Sequence, residues 1–298
     1  MNKADIFENI WNAVLTYFNN LTQPEIYMMI IIISAAVIFI ILERLFPYSE
    51  GQKVLREGFF DDLALYTIAQ SYILGILIFG YIIVFIDNST QISRLKLFAD
   101  VPIWIQLIFF TITHDLYIYW MHRWQHKNKY LWRIHEAHHS PKKVDWLSGS
   151  RSHALEITIN QTIEFLPIVL LGSPVEVIAY KGAISAVWGM YIHSNLNIHT
   201  GRLQMIINGP EMHRWHHSTG KGRNRNFSTK LAIWDWLFNT AYFPDYKPDV
   251  YGLRTYFPKN YFIQTLYAFR GFGRSEKKIG NKNLQQKQSN GSYNARIN

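Results

Sequence analysis

No cysteine occurs among the 298 residues of this chain. That absence excludes disulfides, thiolate zinc sites, iron-sulfur clusters and thiolate-bound haem in one step. A nucleotide fingerprint is missing as well: no G-x-G-x-x-G follows a strand-like segment, and the lone GKG at Gly220 to Gly222 is too short to count. Charge is absent where the chain is most apolar. Ile26 to Leu42 and Leu63 to Ile86 carry none, and a helix needs roughly 20 apolar residues to cross a hydrocarbon core of about 30 Å. Both read as membrane spans rather than as buried helices of a soluble protein. A signal peptide fits poorly, because Asp5 and Glu8 precede the first run, which begins only at residue 26.

A third run, Val101 to Met121, is apolar until His114 and Asp115 interrupt it. Ionisable groups inside a spanning helix usually face a bundle interior or a polar cavity, so this run also reads as spanning. Between Ala154 and Ile192, Glu156, Glu164 and Glu176 lie among apolar residues, and Pro167, Gly172 and Pro174 break the middle. The segment lacks the alternation of a strand and reads as a helical hairpin, partly inserted in the membrane. The fold expected is therefore an all-α integral membrane protein. It has about three spanning helices, a membrane-embedded helical hairpin and a cytoplasmic helical cap rich in histidine. Three regions follow: an N-terminal transmembrane region at 1–100, a histidine-box catalytic domain at 101–272, and a polar, basic tail at 273–298 expected to be disordered.

The formal charge is +9, and 24 of the 30 Lys and Arg lie after Met121. A basic half joined to an apolar half suggests a membrane protein with a cationic inner face more than it suggests a nucleic-acid partner. The positive-inside rule puts the loop from Arg44 to Arg56, the C-terminal half and any site within it on the cytoplasmic side.

All 12 histidines fall between His114 and His217. Eight form three boxes: HRWQH (His122, His126), HEAHH (His135, His138, His139) and HRWHH (His213, His216, His217). Helical positions i, i+3 and i+4 share one face, so each box presents its imidazoles in one direction. Imidazole suits zinc, iron, copper and nickel, so the spacing indicates a metal site without naming the metal. HEAHH also fits the zinc-peptidase pattern, with His135 and His139 as ligands and Glu136 activating water. Against that reading, His138 intervenes on the same face, and HRWHH carries Arg214 where the glutamate would stand. Eight ligands are too many for one ion and suit two.

The boxes and their surroundings resemble the sterol desaturase and fatty acid hydroxylase superfamily of integral membrane di-metal oxygenases. DLYIYWMHRWQH, WRIHEAHHS and HRWHHS followed by NFSTKLAIWDWLFNT are similar to that family's three boxes and its trailing W-D-x-L-F-G-T motif, with Asn239 in place of the glycine. The likeness covers roughly Thr113 to Tyr242. It implies that the eight boxed histidines bind metal and that His193, in YIHSNL, is a further ligand. Some relatives have a second histidine four residues later; here Asn197 stands there, with His199 two beyond. Arg151 and His153 resemble a family R-x-H element, which makes His153 a candidate beside the metal.

The implied chemistry is attack on an unactivated C–H bond of a lipid by dioxygen at two iron ions, although another metal could occupy the same ligands in isolated protein. Hydroxylation and desaturation both fit. Electrons would come from a separate reductase, cytochrome, ferredoxin or pterin, and the lipid substrate from the bilayer. Asp115 is a candidate to orient a ligand imidazole, or else a structural hydrogen-bond acceptor. His114 lies about 12 Å up a helix from His122, too far to share its ion, and suits a substrate cavity or a polar neighbour. Asp235 reads as structural. The competing class is an intramembrane zinc metallohydrolase using HEAHH.

Overall fold

A computed structural model describes residues 19–248 and 250–270; the expected tail at 273–298 lies outside them. The described residues form helices and loops, with only two isolated antiparallel bridges, Pro47 to Leu196 and Ser218 to Tyr251. Two helices are long and apolar enough to cross a membrane. The first, α1 (Gln23–Leu45), starts where Thr22 donates from its backbone N–H and Oγ to the Glu25 carboxylate at 2.8 and 2.7 Å. Only Phe39 and Glu43 of α1 are buried, while Ile33 is 59% exposed and Ile30, Ile38 and Ile41 are similar. An apolar surface this continuous is untenable in water and marks a face toward lipid. The second, α2 (Asp61–Thr90), is 30 residues long and winds as π turns over Asp61–Gln70 and Ile76–Ile83.

The third run forms α3 (Ile103–Lys127), 25 residues long. It does not join the other two as a helix able to cross by apolarity alone. The reason is its inner face, which buries Gln106, His114 and Asp115, while Trp104, Ile108 and Phe109 are exposed on the outside. The candidate hairpin is present as α5 (Ala154–Leu170) and α6 (Val175–His193). Its turn needs Gly172, whose φ is +72° and whose missing Cβ would stand 2.8 Å from the Lys96 Cα. Around the boxes lie α4 (Lys129–His135), α7 (Pro210–His217), α8 (Ile233–Leu237) and α9 (Tyr261–Tyr267).

The described residues before α3 are built into the same body as the boxes. α1 packs on α6, and Glu43 Oε1 at its end accepts the backbone N–H groups of Trp146 and Asn195, both at 2.8 Å. One carboxylate thus ties the loop after the second box to the loop after α6. Four buried side chains do the same for the start of α2. Arg56 pairs with Asp145 and Asp62 at 2.7 Å each, and Arg151 pairs with Asp62 at 2.6 Å. Burial makes each of these charges costly alone, so the loops are fixed only together.

Candidate metal centre

α3 ends because Asn128 takes an extended conformation, and its Oδ1 then accepts the N–H groups of Tyr130 and Leu131 to cap α4. This sharp turn brings the first two boxes face to face. The third box occupies α7, whose three imidazoles are buried.

The histidines converge into two adjacent groups. One contains His122, His126, His135, His139 and His216, the other His138, His193, His213 and His217, and within each group the potential ligand atoms lie within 4.8 Å of one another. The groups adjoin, since the rings of His139 and His217 are centred 4.7 Å apart. HEAHH is split between them: His135 and His139 go to one group, His138 to the other. The nine histidines expected to bind metal are thus the nine brought together.

Their orientation is set from behind. Nδ1 of His122, His216, His193 and His138 faces the carbonyl oxygens of Phe227, Arg225, Gly189 and Arg151 at 2.7, 2.8, 2.7 and 3.2 Å. A carbonyl only accepts, so each Nδ1 carries the proton and each neutral ring turns the Nε2 lone pair into its group. His138 and His193 then face each other Nε2 to Nε2 at 3.2 Å with no proton to place between them. The Nε2 atoms of His122 and His216 are buried without any partner. Converging lone pairs in a dry site are unfavourable until a cation fills the space between them. This donor set fits borderline divalent metals. Burial, then neighbouring imidazoles, hold His139, His213, His216 and His217 well below the ordinary histidine pKa, and His138 at about 3. They are neutral, as ligands must be.

The structure places the two expected catalytic residues away from the boxed imidazoles. Asp115 touches no boxed imidazole: its oxygens accept from Thr229 Oγ, Lys230 N, Leu231 N and Trp234 Nε1 at 2.7 to 3.0 Å. It clamps a loop. That loop leads to Asp235, which accepts the Phe227 and Ser228 N–H groups at 2.8 and 2.9 Å and so fixes the carbonyl behind His122. Asn239, in the left-handed region at φ 55°, stands where the family motif carries glycine, a conformation that asparagine tolerates. His153 caps α5, with Nδ1 accepting from Leu155 N and Nε2 donating to the Thr265 carbonyl; both nitrogens are spent. His199 is 82% exposed and pairs with Glu211, outside either group. Glu136 is bound to Arg270 at 2.6 Å, which removes the water-activating carboxylate that the hydrolase reading requires.

Sequence reasoning missed Glu156. Its Oε1 accepts from His135 Nδ1 at 2.8 Å and from Gln125 Nε2 at 2.9 Å. The available signal was a lone carboxylate in the first turn of an apolar helix. Gly149 was missed too, although a Cβ there would stand 2.7 Å from His193 Nδ1.

The fatty acid hydroxylase family model matches residues 107–240, the stretch that holds every box. The ornithine lipid hydroxylase OlsE of Rhizobium tropici is 27% identical over 92% of this chain and 87% of its own length. The alkylglycerol monooxygenase of Danio rerio is 33% identical over 47% of this chain, and methylsterol monooxygenase 1-3 of Arabidopsis thaliana is 25% identical over 50%. Residues 107–240 carry a fatty acid hydroxylase domain, and these relatives are lipid hydroxylases and monooxygenases. The chain spans 31% of the length of the Danio relative and 52% of the Arabidopsis one. No solved structure matches it.

Proposed function

We propose that the protein is a multi-pass membrane enzyme that hydroxylates a lipid with dioxygen at two iron ions. One ion would be held by His122, His126, His135, His139 and His216, the other by His138, His193, His213 and His217. The observation that carries this reading is the convergence of nine imidazoles into two adjoining groups, with carbonyls turning lone pairs inward. When bound, the metal pair would supply the oxidising power; one oxygen atom enters the C–H bond, and the other leaves as water after two electrons and two protons arrive. The chain's own part is to hold the ligand rings, exclude water and align the substrate carbon. A cavity of about 230 Å³ beside the groups, lined between its polar ends by Ile118, Met121, Ile157 and Ile192, suits an alkyl segment.

Desaturation would use the same ligands, but the relatives named above are hydroxylases or monooxygenases. The zinc hydrolase is disfavoured by the division of HEAHH and by the Glu136–Arg270 pair. The electron donor would be a separate reductase, cytochrome, ferredoxin or pterin. A second surface cavity, lined by Lys127, Lys129, Arg133, Arg223 and Arg270, reaches His126 and Trp132, and an acidic donor approaching there would meet the cluster at His126. By the positive-inside rule the basic loops support a cytoplasmic position for this face, and the reading takes α3 as a third span. The test is incubation of purified protein with bacterial lipid extract, a chemical reductant and isotopically labelled dioxygen. Label in a lipid hydroxyl is expected. A product formed without oxygen, or labelled from water, would contradict the proposal.

A further inference from the structure

The cavity beside the histidine groups does not end in apolar side chains. His122, His135, His138, His193 and His213 line one part, and His114, Glu164, Ser185, Thr229 and Lys230 line another. His114 is eight residues from His122 on α3, so about 12 Å separates the two parts along the helix.

Two buried side chains and the half-buried Ser185 satisfy one another there. Lys181, fully buried, donates to the Glu164 carboxylate and, at 3.0 Å, to Ser185 Oγ, and Ser185 itself donates to Glu164. Such a triad is explained as a tie between α5 and α6. Two further groups are not explained by it. Lys230 is 7% exposed and forms no ion pair among the described residues; its backbone is fixed by Asp115, whose two oxygens already accept four donors. His114 is 92% buried, and neither ring nitrogen makes a hydrogen bond; Nδ1 stands 3.5 Å from Glu164 Oε1.

A buried ammonium and an unpaired imidazole on one cavity wall are costly unless something fills the space between them. The two carboxylates nearby, Glu164 and Asp115, already accept other donors, so the surplus on this wall is of hydrogen-bond donors. We propose that this end of the cavity receives an anionic oxygen group of the substrate, a carboxylate or a phosphate, held by Lys230 and His114. The proposal rests on the hydroxylase reading only for its consequence: the lipid enters with its charged group toward His114, and the carbon oxidised lies along the chain at about the 12 Å that separates the two parts of the cavity.

The test measures binding, not turnover. Hexanoate, hexyl phosphate and hexanol are titrated calorimetrically into the full-length, detergent-solubilised protein, alongside Lys230→Met, Lys230→Arg and His114→Phe. An anionic probe should bind at least about tenfold more tightly than hexanol, and Lys230→Met should remove that preference while Lys230→Arg keeps most of it. Preference for hexanoate identifies a carboxylate, and preference for hexyl phosphate a phosphate. Equal binding of all three probes to the wild type, or an anion preference unchanged in Lys230→Met, overturns the proposal. Because no oxygen is consumed, the site can stand while labelled dioxygen fails to enter a lipid, and it can fall while hydroxylation is observed.

Discussion

His135 Nδ1 lies 2.8 Å from Glu156 Oε1, the one contact between a boxed imidazole and a carboxylate among the described residues. Behind His122, His138, His193 and His216 carbonyl oxygens fill that place. A carboxylate behind a ligand ring raises its basicity and fixes its tautomer. Glu156→Ala should therefore weaken metal binding by roughly 10- to 100-fold, with Glu156→Gln milder because an amide oxygen can still accept. Chelator competition on purified protein checks this.

Gly149 marks a different dependence. Its Cα packs so closely on His193 that a methyl group would lie 2.7 Å from Nδ1, where the Gly189 carbonyl already sits at 2.7 Å. Gly149→Ala should displace that ring and empty the group of His138, His193, His213 and His217 first. Metal content should drop toward half, with the helical circular dichroism unchanged.

The Arg56, Asp62, Asp145 and Arg151 network should act on stability. Arg151 joins Asp62 through its guanidinium and His138 through its carbonyl, so this network supports the second box from the loop between α1 and α2. Removing one partner of a buried pair leaves an uncompensated charge and costs about 3–5 kcal/mol. Asp62→Ala should lower the unfolding midpoint sharply; a thermal scan of the detergent-solubilised protein reads the effect.

Glu136 separates two chemistries. Its carboxylate is engaged by Arg270 and belongs to neither histidine group. Glu136→Gln should leave oxygen-dependent hydroxylation within a few-fold of wild type, an outcome that a one-zinc hydrolase would not permit. Product quantified by mass spectrometry with and without oxygen decides the matter.

The three boxes were legible because helical periodicity alone aligns i, i+3 and i+4. Which ring joins which group was not. His138 and His139 are adjacent in sequence yet point into different groups, and only the packing of α4 against α3 and α5, with α6 against α7, sorts them. The carbonyls of Phe227, Arg225 and Gly189 leave no mark on residue type, so their role was invisible. Asp115 was visible as a buried acid in an apolar run, but its partners stand 114 to 119 residues away and turn it into a loop clamp. The first two spans could be read from absence of charge. α3 hides its polar residues on one face, which an average along the chain cannot resolve.

The central claim is that the nine histidines form two metal sites in one chain. Metal content per chain, by mass spectrometry on protein purified anaerobically from membranes, tests it most directly, with His216→Ala and His213→Ala as variants of the two groups. Two iron ions in the wild type and about one in each variant are expected. A single zinc that survives in one of the variants would contradict the two-site centre.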